Sequence, residues 1–252
     1  DDYHVVAPVS LIVSAFAPVT DVRKHLTPQL QACEEPTYLL LFDLGRGQNR
    51  LGGSCLAQAY NRAGGQTADL DDADALKNFF AAIQELNERG MLLAYHDRSD
   101  GGLLATVAEM MFASRLGVSL ELEGPSGQLL GQLFAEEAGA VVQVAKNKLT
   151  QVQMVLDRTG AQATAVGRVE DQPVLTVRSD AIEIVAQSRT FAFDKTGPLT
   201  LGKLRLRDLR VFGGLNETQA LRIAAALDAW GGMLLLHAED NAIIERTVPE
   251  MV

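Results

Sequence analysis

The chain is poor in cysteine and in positive charge, and it has no long apolar run. Its 252 residues include only Cys33 and Cys55, far apart and without a CxxC spacing. No disulfide framework and no zinc site are expected, and both side chains read as reduced thiols. Lys and Arg number 22 against 32 Asp and Glu, a formal charge of −10. No basic stripe with interleaved aromatics occurs, so the concentrated positive charge needed to bind DNA or RNA is missing. The nearest approach to a membrane span, residues 5–19, is broken by Pro8, Ser10 and Ser14 and falls short of the roughly 20 apolar residues that a bilayer requires. The acidic start lacks the positive charge of a signal peptide, so neither export nor a membrane span is expected and the location reads as cytoplasmic. Internal repeats and low-complexity tracts are also missing.

What is present is an ordinary globular composition, 47% hydrophobic and 21% charged, with 22 glycines. The length allows one large domain, or a domain with a smaller appendage. A strand is expected at 8–18 and a short amphipathic helix at 21–30 after a Thr20 N-cap. TYLLLFDLG is a continuous apolar run, the pattern of a strand buried on both faces and central in a sheet. Helices are expected at 54–63 and, with Leu76, Phe79, Phe80, Ile83 and Leu86 at helical spacing, at 72–89, ended by Gly90. MLLAYHD then reads as a strand, RSDGG as a tight turn, and 103–114 as a helix closed by Gly117. VSLELE alternates as a half-buried strand does, 129–137 reads as helical, and AGAVVQVAK as a strand. A helix at 149–158 and the strands TAVGRVE and PVLTVRS complete an α/β (α+β) domain.

The most informative residues lie between a strand and a helix: His96, Asp97, Arg98, Ser99, Asp100, Gly101 and Gly102. Backbone amides at such a turn point outward with the positive end of a helix dipole, which favours phosphate oxygens. Asp97 and Asp100 are hard oxygen donors suited to Mg2+, Ser99 can donate to phosphate, and the glycines allow close approach to the backbone. Helix capping by Ser99 or Asp100 accounts for the same residues, and a histidine such as His96 is as readily structural. The loop GRGQNRLGGS after the TYLLLFDLG strand has glycines that could cradle phosphate. It is neither a Walker A nor a dinucleotide motif, which leaves a domain-interface or substrate-side loop as its reading.

The run LLAYHDRSDGGLLATVAEMMFA (92–113) resembles the second synthetase half of large phosphoribosylformylglycinamidine synthases of purine biosynthesis. SLIVSAFAPVTDVRKHLTPQL (10–30), LLLFDLGRGQNRLGGSCLAQAY (39–60) and LFAEEAGAVVQV (133–144) are similar to other blocks of that domain, in the same order. The resemblance spans roughly residues 9–190 and implies an aminoimidazole ribonucleotide synthetase-like C-terminal fold, with a domain at 1–190 and a short α/β tail at 191–252. It implies that Asp97 ligates the Mg2+ of a bound ATP or ADP and that Ser99 contacts the nucleotide, while Asp100, Gly101 and Gly102 form the turn. In that family the matching site is an auxiliary one holding ADP, and an N-terminal-type synthetase domain supplies the remaining ligands. The family reaction is an ATP-dependent carbon–nitrogen ligation with glutamine as amido donor, converting formylglycinamide ribonucleotide to the amidine. The chain carries neither the ATP-grasping domains nor the glutaminase, so catalysis by it alone is not expected.

After Arg189 the sequence changes character. TFAFDKTGPLTLGKLRLRDLRVFGGLNETQALRIAAALD (190–228) resembles the phosphorylation segment of metal-transporting P-type ATPases, with Pro198 where that family has Thr. The resemblance makes Asp194 a phosphoryl acceptor assisted by Lys195 and Thr196. The rest of that machinery is lacking, and Pro198 removes a backbone N–H, so a non-functional tail with a strand and one or two helices is the competing expectation. GGMLLLHAED reads as a strand ending in His237, Glu239 and Asp240, a cluster that more often marks a solvated strand end than a metal site. Pieces of two unrelated families in one chain suggest a chimera, an aberrant gene product or an artificial sequence. Three functions follow: a detached synthetase domain with half of a Mg-nucleotide site, a non-catalytic interaction or dimerisation module, and a phosphotransfer fragment built on Asp194.

Overall fold

The apolar run after Pro36 forms strand β1 (Thr37–Asp43), and the sheet is built around it. In the computed structural model, residues 13–19, 21–124 and 128–179 are described, together with the backbone of two further strands at 182–193 and 200–211. The other elements in chain order are α1 (Cys55–Ala59), α2 (Ala73–Glu88), β2 (Leu92–Asp97), α3 (Gly102–Ser114), β3 (Gly117–Glu121), α4 (Leu129–Phe134), β4 (Gly139–Ala145), α5 (Leu149–Thr159), β5 (Thr164–Glu170), β6 (Val174–Arg178), β7 (Ile182–Phe193) and β8 (Thr200–Val211). The strands make one sheet in the order β2-β4-β1-β5-β3-β6-β7-β8. Neighbours are antiparallel except β3 and β6, which run parallel.

Side chains of a strand alternate between faces, and β1 is apolar on both. Leu39 joins a core with α3 and α4 that includes Leu103, Met110, Leu133 and Phe134. Leu40 and Phe42 join a second core with α2 and α5 that includes Ile83, Leu86, Val152 and Val155. β1 therefore lies between two helical layers, as its continuous apolar run predicts. Helix α2 starts where expected, because the Asp72 side chain accepts from the amides of Asp74 and Ala75. Helix α3 is apolar on most of its circumference and is buried along nearly its full length against the sheet and α4.

Several expectations are corrected. Residues 13–19 have no regular structure, and Val13 and Phe16 are exposed, Phe16 by 95%; the rest of the strand expected at 8–18 lies outside the described residues. The helix expected at 21–30 is a single 3-10 turn, Val22–Lys24, capped by Asp21 instead of Thr20. Pro28 disfavours helical geometry at the residue before it and keeps this turn from growing. α1 and α4 are shorter than expected, and α4 ends before Glu136 and Glu137. Arg115, in a left-handed conformation, closes α3, while Gly117 begins β3. β3 is buried on both faces, Ser119 included; alternation marks the apolar face, and neighbours on both sides decide what reaches the other.

β7 pairs antiparallel with both β6 and β8, and only its last residues and β8 belong to the expected tail. Residue 190, where the sequence changes character, lies inside β7. Asp194, Lys195, Thr196 and Pro198, and His237, Glu239 and Asp240 farther on, lie outside the described residues. No helix among the described residues is long and apolar enough to cross a membrane.

Candidate functional site

The register of the sheet gathers the sequence-predicted residues at one edge. Asp43 ends β1 opposite Gly139 of β4, and Asp97 ends β2 opposite Ala140. The GRGQNRLGGS loop and the HDRSDGG turn leave the sheet side by side.

Arg98 joins them. Its buried guanidinium donates from Nε to the carbonyl of Glu137 at 2.7 Å and from Nη2 to Asp43 Oδ1 at 2.5 Å, and its own amide donates to the Gly139 carbonyl. Glu137 is fully buried and takes Arg50 in a fork, from Nε at 2.8 Å and from Nη2 at 2.7 Å, and also accepts the Arg50 amide at 3.0 Å. Burial would raise the Glu137 carboxyl, but the hydrogen bonds and charge of Arg50 outweigh it and hold it below the usual range. Arg50 also reaches Asp71 and the carbonyl of Asp69. Glu136 Oε1 accepts from the amides of Cys55 and Gly101, both at 2.8 Å, tying α1 to the turn. These acidic and basic links were not singled out from the sequence. The signal for them was the pair of charges in LFAEEAGAVV, immediately before a strand buried on both faces, where a carboxylate needs a partner.

The two glycine-rich segments differ in what their amides do. In the first loop the amides of Gly45 and Gly47 donate to the Asp43 carboxylate, at 3.1 and 2.7 Å. Those of Gly52 and Gly53 donate to the carbonyls of Gln66 and Ala63. These four amides are taken up by the fold and tie the loop down at the end of the sheet.

In the second segment, Gly101 and Gly102 both have positive φ, 81° and 68°, which glycine adopts without strain. A Cβ on Gly102 would lie 2.7 Å from the Phe134 carbonyl carbon and 2.8 Å from the Leu133 and Ala135 oxygens. The close approach that these glycines permit is that of α4, whose C-terminal carbonyls cover the start of α3. Gly101, not Ser99 or Asp100, is the N-cap, and it makes no side-chain capping bond. The capping account of Ser99 and Asp100 is thereby corrected, and both side chains are exposed, as is Asp97.

Asp97 has neighbours on each side. Tyr95 Oη donates to Asp97 Oδ1 at 2.6 Å, and burial, followed by the Asp97 charge, pushes the Tyr95 hydroxyl well above its ordinary pKa. On the opposite face of β2, His96 Nδ1 lies 2.8 Å from the Asp97 carbonyl and Nε2 2.8 Å from Glu109 Oε2. Burial favours the neutral ring, but Glu109 and the Asp97 carbonyl outweigh it and raise the His96 pKa.

Mg2+ takes oxygen ligands and is usually held by one or two carboxylates together with phosphates and water. Asp97 and Asp100 with the Ser99 hydroxyl, all exposed on one turn, fit that donor set. Cys55, Asp100 and Glu136 also place one ligand atom each within 4.8 Å of one another. Burial, then the charges of Glu136 and Asp100, raise the Cys55 thiol and keep it protonated, while Glu136 Oε1 is already spent on two amides. A groove of about 400 Å³ lined by Gln31, Tyr38 and Arg168 lies at the opposite end of β1.

Residues 40–180 match the family described as AIR synthase related protein, C-terminal domain. Among solved structures, the chain is similar to Thermotoga maritima PurL complexed with ATP, at 17% identity and a TM-score of 0.48, over 63% of this chain and 25% of that one. It is similar to phosphoribosylformylglycinamidine synthase II from Thermotoga maritima at 15% identity and a TM-score of 0.46, over 81% and 33%. It is also similar to the Escherichia coli hydrogenase maturation protein HypE, at 20% identity and a TM-score of 0.42, over 61% and 49%. The chain thus spans about a quarter of the length of PurL and about half that of HypE.

Proposed function

The chain belongs to the family of the AIR synthase related C-terminal domain, and from that premise we propose that it supplies half of a Mg-adenine nucleotide site in a phosphoribosylformylglycinamidine synthase-type assembly. Asp97 would hold the ion, Ser99 would contact the nucleotide, and an N-terminal-type synthetase domain, or a second copy of the chain, would complete the ligand shell. Bound there, Mg2+ would neutralise phosphate charge. The chain's own part is to present the turn: Arg98, Glu136 and the close packing of Gly102 fix it, and exposure of Asp97, Ser99 and Asp100 leaves them open to a partner. The observation that carries this reading is that two carboxylates and a hydroxyl stand exposed on a turn whose backbone is anchored to buried groups. The ligase reaction, the cytoplasmic location and the division of the chain at 190/191 belong to the same proposal.

Calorimetric titration with Mg-ADP tests it. Saturable binding by the native chain that is lost in Asp97→Ala is the expected result, and equal behaviour of the two overturns it. A second reading, an interaction or dimerisation module, is favoured by apolar side chains left outside the helical layer over β1. Phe80 of α2 is 63% exposed and Met154 of α5 is 65% exposed. Sedimentation analysis checks it, with a dimer of the native chain that dissociates in Phe80→Glu as the expected outcome.

A further inference from the structure

Alternation along β2 puts Tyr95 and Asp97 on one face and His96 on the other. The Tyr95 ring packs against the core formed with α2 and α5, a role that phenylalanine would fill equally well. What the tyrosine adds is its hydroxyl, 2.6 Å from Asp97 Oδ1. No other hydrogen bond to that carboxylate is formed among the described residues, so Oδ2 keeps its lone pairs.

The main chain of Asp97 is held from the opposite side. Its carbonyl accepts from Thr106 Oγ1 of α3 at 3.2 Å and faces His96 Nδ1 at 2.8 Å, while His96 Nε2 is 2.8 Å from Glu109 of the same helix. An exposed aspartate on a turn ordinarily samples several rotamers. Here the backbone is fixed by α3 and one carboxylate oxygen by a half-buried phenol, which together select one orientation. Ligating carboxylates are commonly oriented in this way by a hydrogen-bond donor behind them, and loss of that donor weakens metal binding.

We propose that Tyr95 is a positioning residue, which engages Asp97 Oδ1 so that Oδ2 is held ready for the divalent cation of a bound adenine nucleotide. This rests on the half-site reading of Asp97. Tyr95 touches neither metal nor nucleotide and acts only through Asp97, and that distinguishes its expected behaviour from a structural role.

The test is a titration of the full chain with the preformed Mn2+–ADP complex, with the protein-bound ion read from the enhancement of the water proton relaxation rate. Four forms are compared well below their unfolding temperatures: native, Tyr95→Phe, Asp97→Asn and the double variant. Tyr95→Phe is expected to weaken Mn2+ binding by about 10–100-fold, and to have no further effect once Asp97 is replaced. Native-like Mn2+ affinity in Tyr95→Phe, alongside lost binding in Asp97→Asn, overturns the positioning role and leaves the half-site reading standing. An equal loss from Tyr95→Phe in both backgrounds also overturns it, since the effect would then not pass through Asp97. Identical behaviour of native and Asp97→Asn, bound or unbound, removes the half-site reading and this inference with it.

Discussion

Two glycine-rich segments leave the same edge of the sheet, and they have opposite chemistry. The loop after β1 uses its donors internally, on Asp43, on Glu137 and on the carbonyls of Ala63 and Gln66. The turn after β2 is anchored by its backbone and by Arg98, and its remaining side chains, Asp97, Ser99 and Asp100, are exposed. Glycines and charges look alike in both stretches of sequence. The comparison teaches that a phosphate- or metal-binding segment is recognised by which polar groups remain unspent after the fold has taken what it needs.

Opening the closed loop should have the largest effect. Glu137→Ala leaves the Arg50 guanidinium, whose side chain is 8% exposed, without its buried partner. Removing one member of a buried pair typically costs about 3–5 kcal/mol, so the urea unfolding midpoint should drop by that equivalent. A change under about 1 kcal/mol would mean that the pair behaves as a surface ion pair and that the loop is less closed than its contacts show. Gly102→Ala comes next. It places a side chain at positive φ and against the α4 backbone, and a loss of about 2–3 kcal/mol is expected. An unchanged midpoint would show that α4 shifts freely and that the turn is not held by it.

How much of this was legible in the sequence depended on whether a residue's role was local. β1, α2 and β2 follow from continuous or periodic apolar patterns and from the Asp72 cap, and they appear where read. Asp97 and Ser99 were singled out because they stand two residues apart between a strand and a helix, in the run that carries the family resemblance. Arg98, Glu136, Glu137 and Arg50 were not, because their partners lie 35 to 87 residues away in sequence and only the sheet register brings them together. The capping account of Ser99 and Asp100 failed for a related reason: Gly102 must approach α4 closely, and the helix therefore begins at a glycine pair. At the chain start, VSLIVSAF has a strand's composition, yet Val13 and Phe16 find no neighbouring surface to cover them.

The pH dependence of stability should separate the two segments by sign. Glu137, which holds Arg50 of the closed loop, has a folded pKa below its unfolded one, so its contribution is present above the ordinary carboxyl value of about 4.3 and is lost as the pH falls through the folded value. His96 beside the open turn has a raised folded pKa. Its contribution is complete below the ordinary histidine value of about 6.5 and is lost as the pH rises through the folded value. Urea midpoints measured across this range should fall at both ends, with Glu137→Gln flattening the acid limb and His96→Gln the alkaline limb. If one substitution flattened both limbs, the two segments would be titrating as a single network and the distinction between them would be lost.

Substitution of Asp100 should have the least effect on stability. Asp100 is exposed, places a carboxylate oxygen within 4.8 Å of Glu136 and Cys55, and contributes to the raised pKa of the thiol. A group kept for the fold would not be left in that position. Asp100→Asn removes the charge while keeping the size of the side chain, and stability should change by no more than about 0.5 kcal/mol. Chemical denaturation of the variant at neutral pH measures this directly. A loss comparable to that of Glu137→Ala would show that Asp100 is spent on the fold after all, and the turn would then be as closed as the loop beside it.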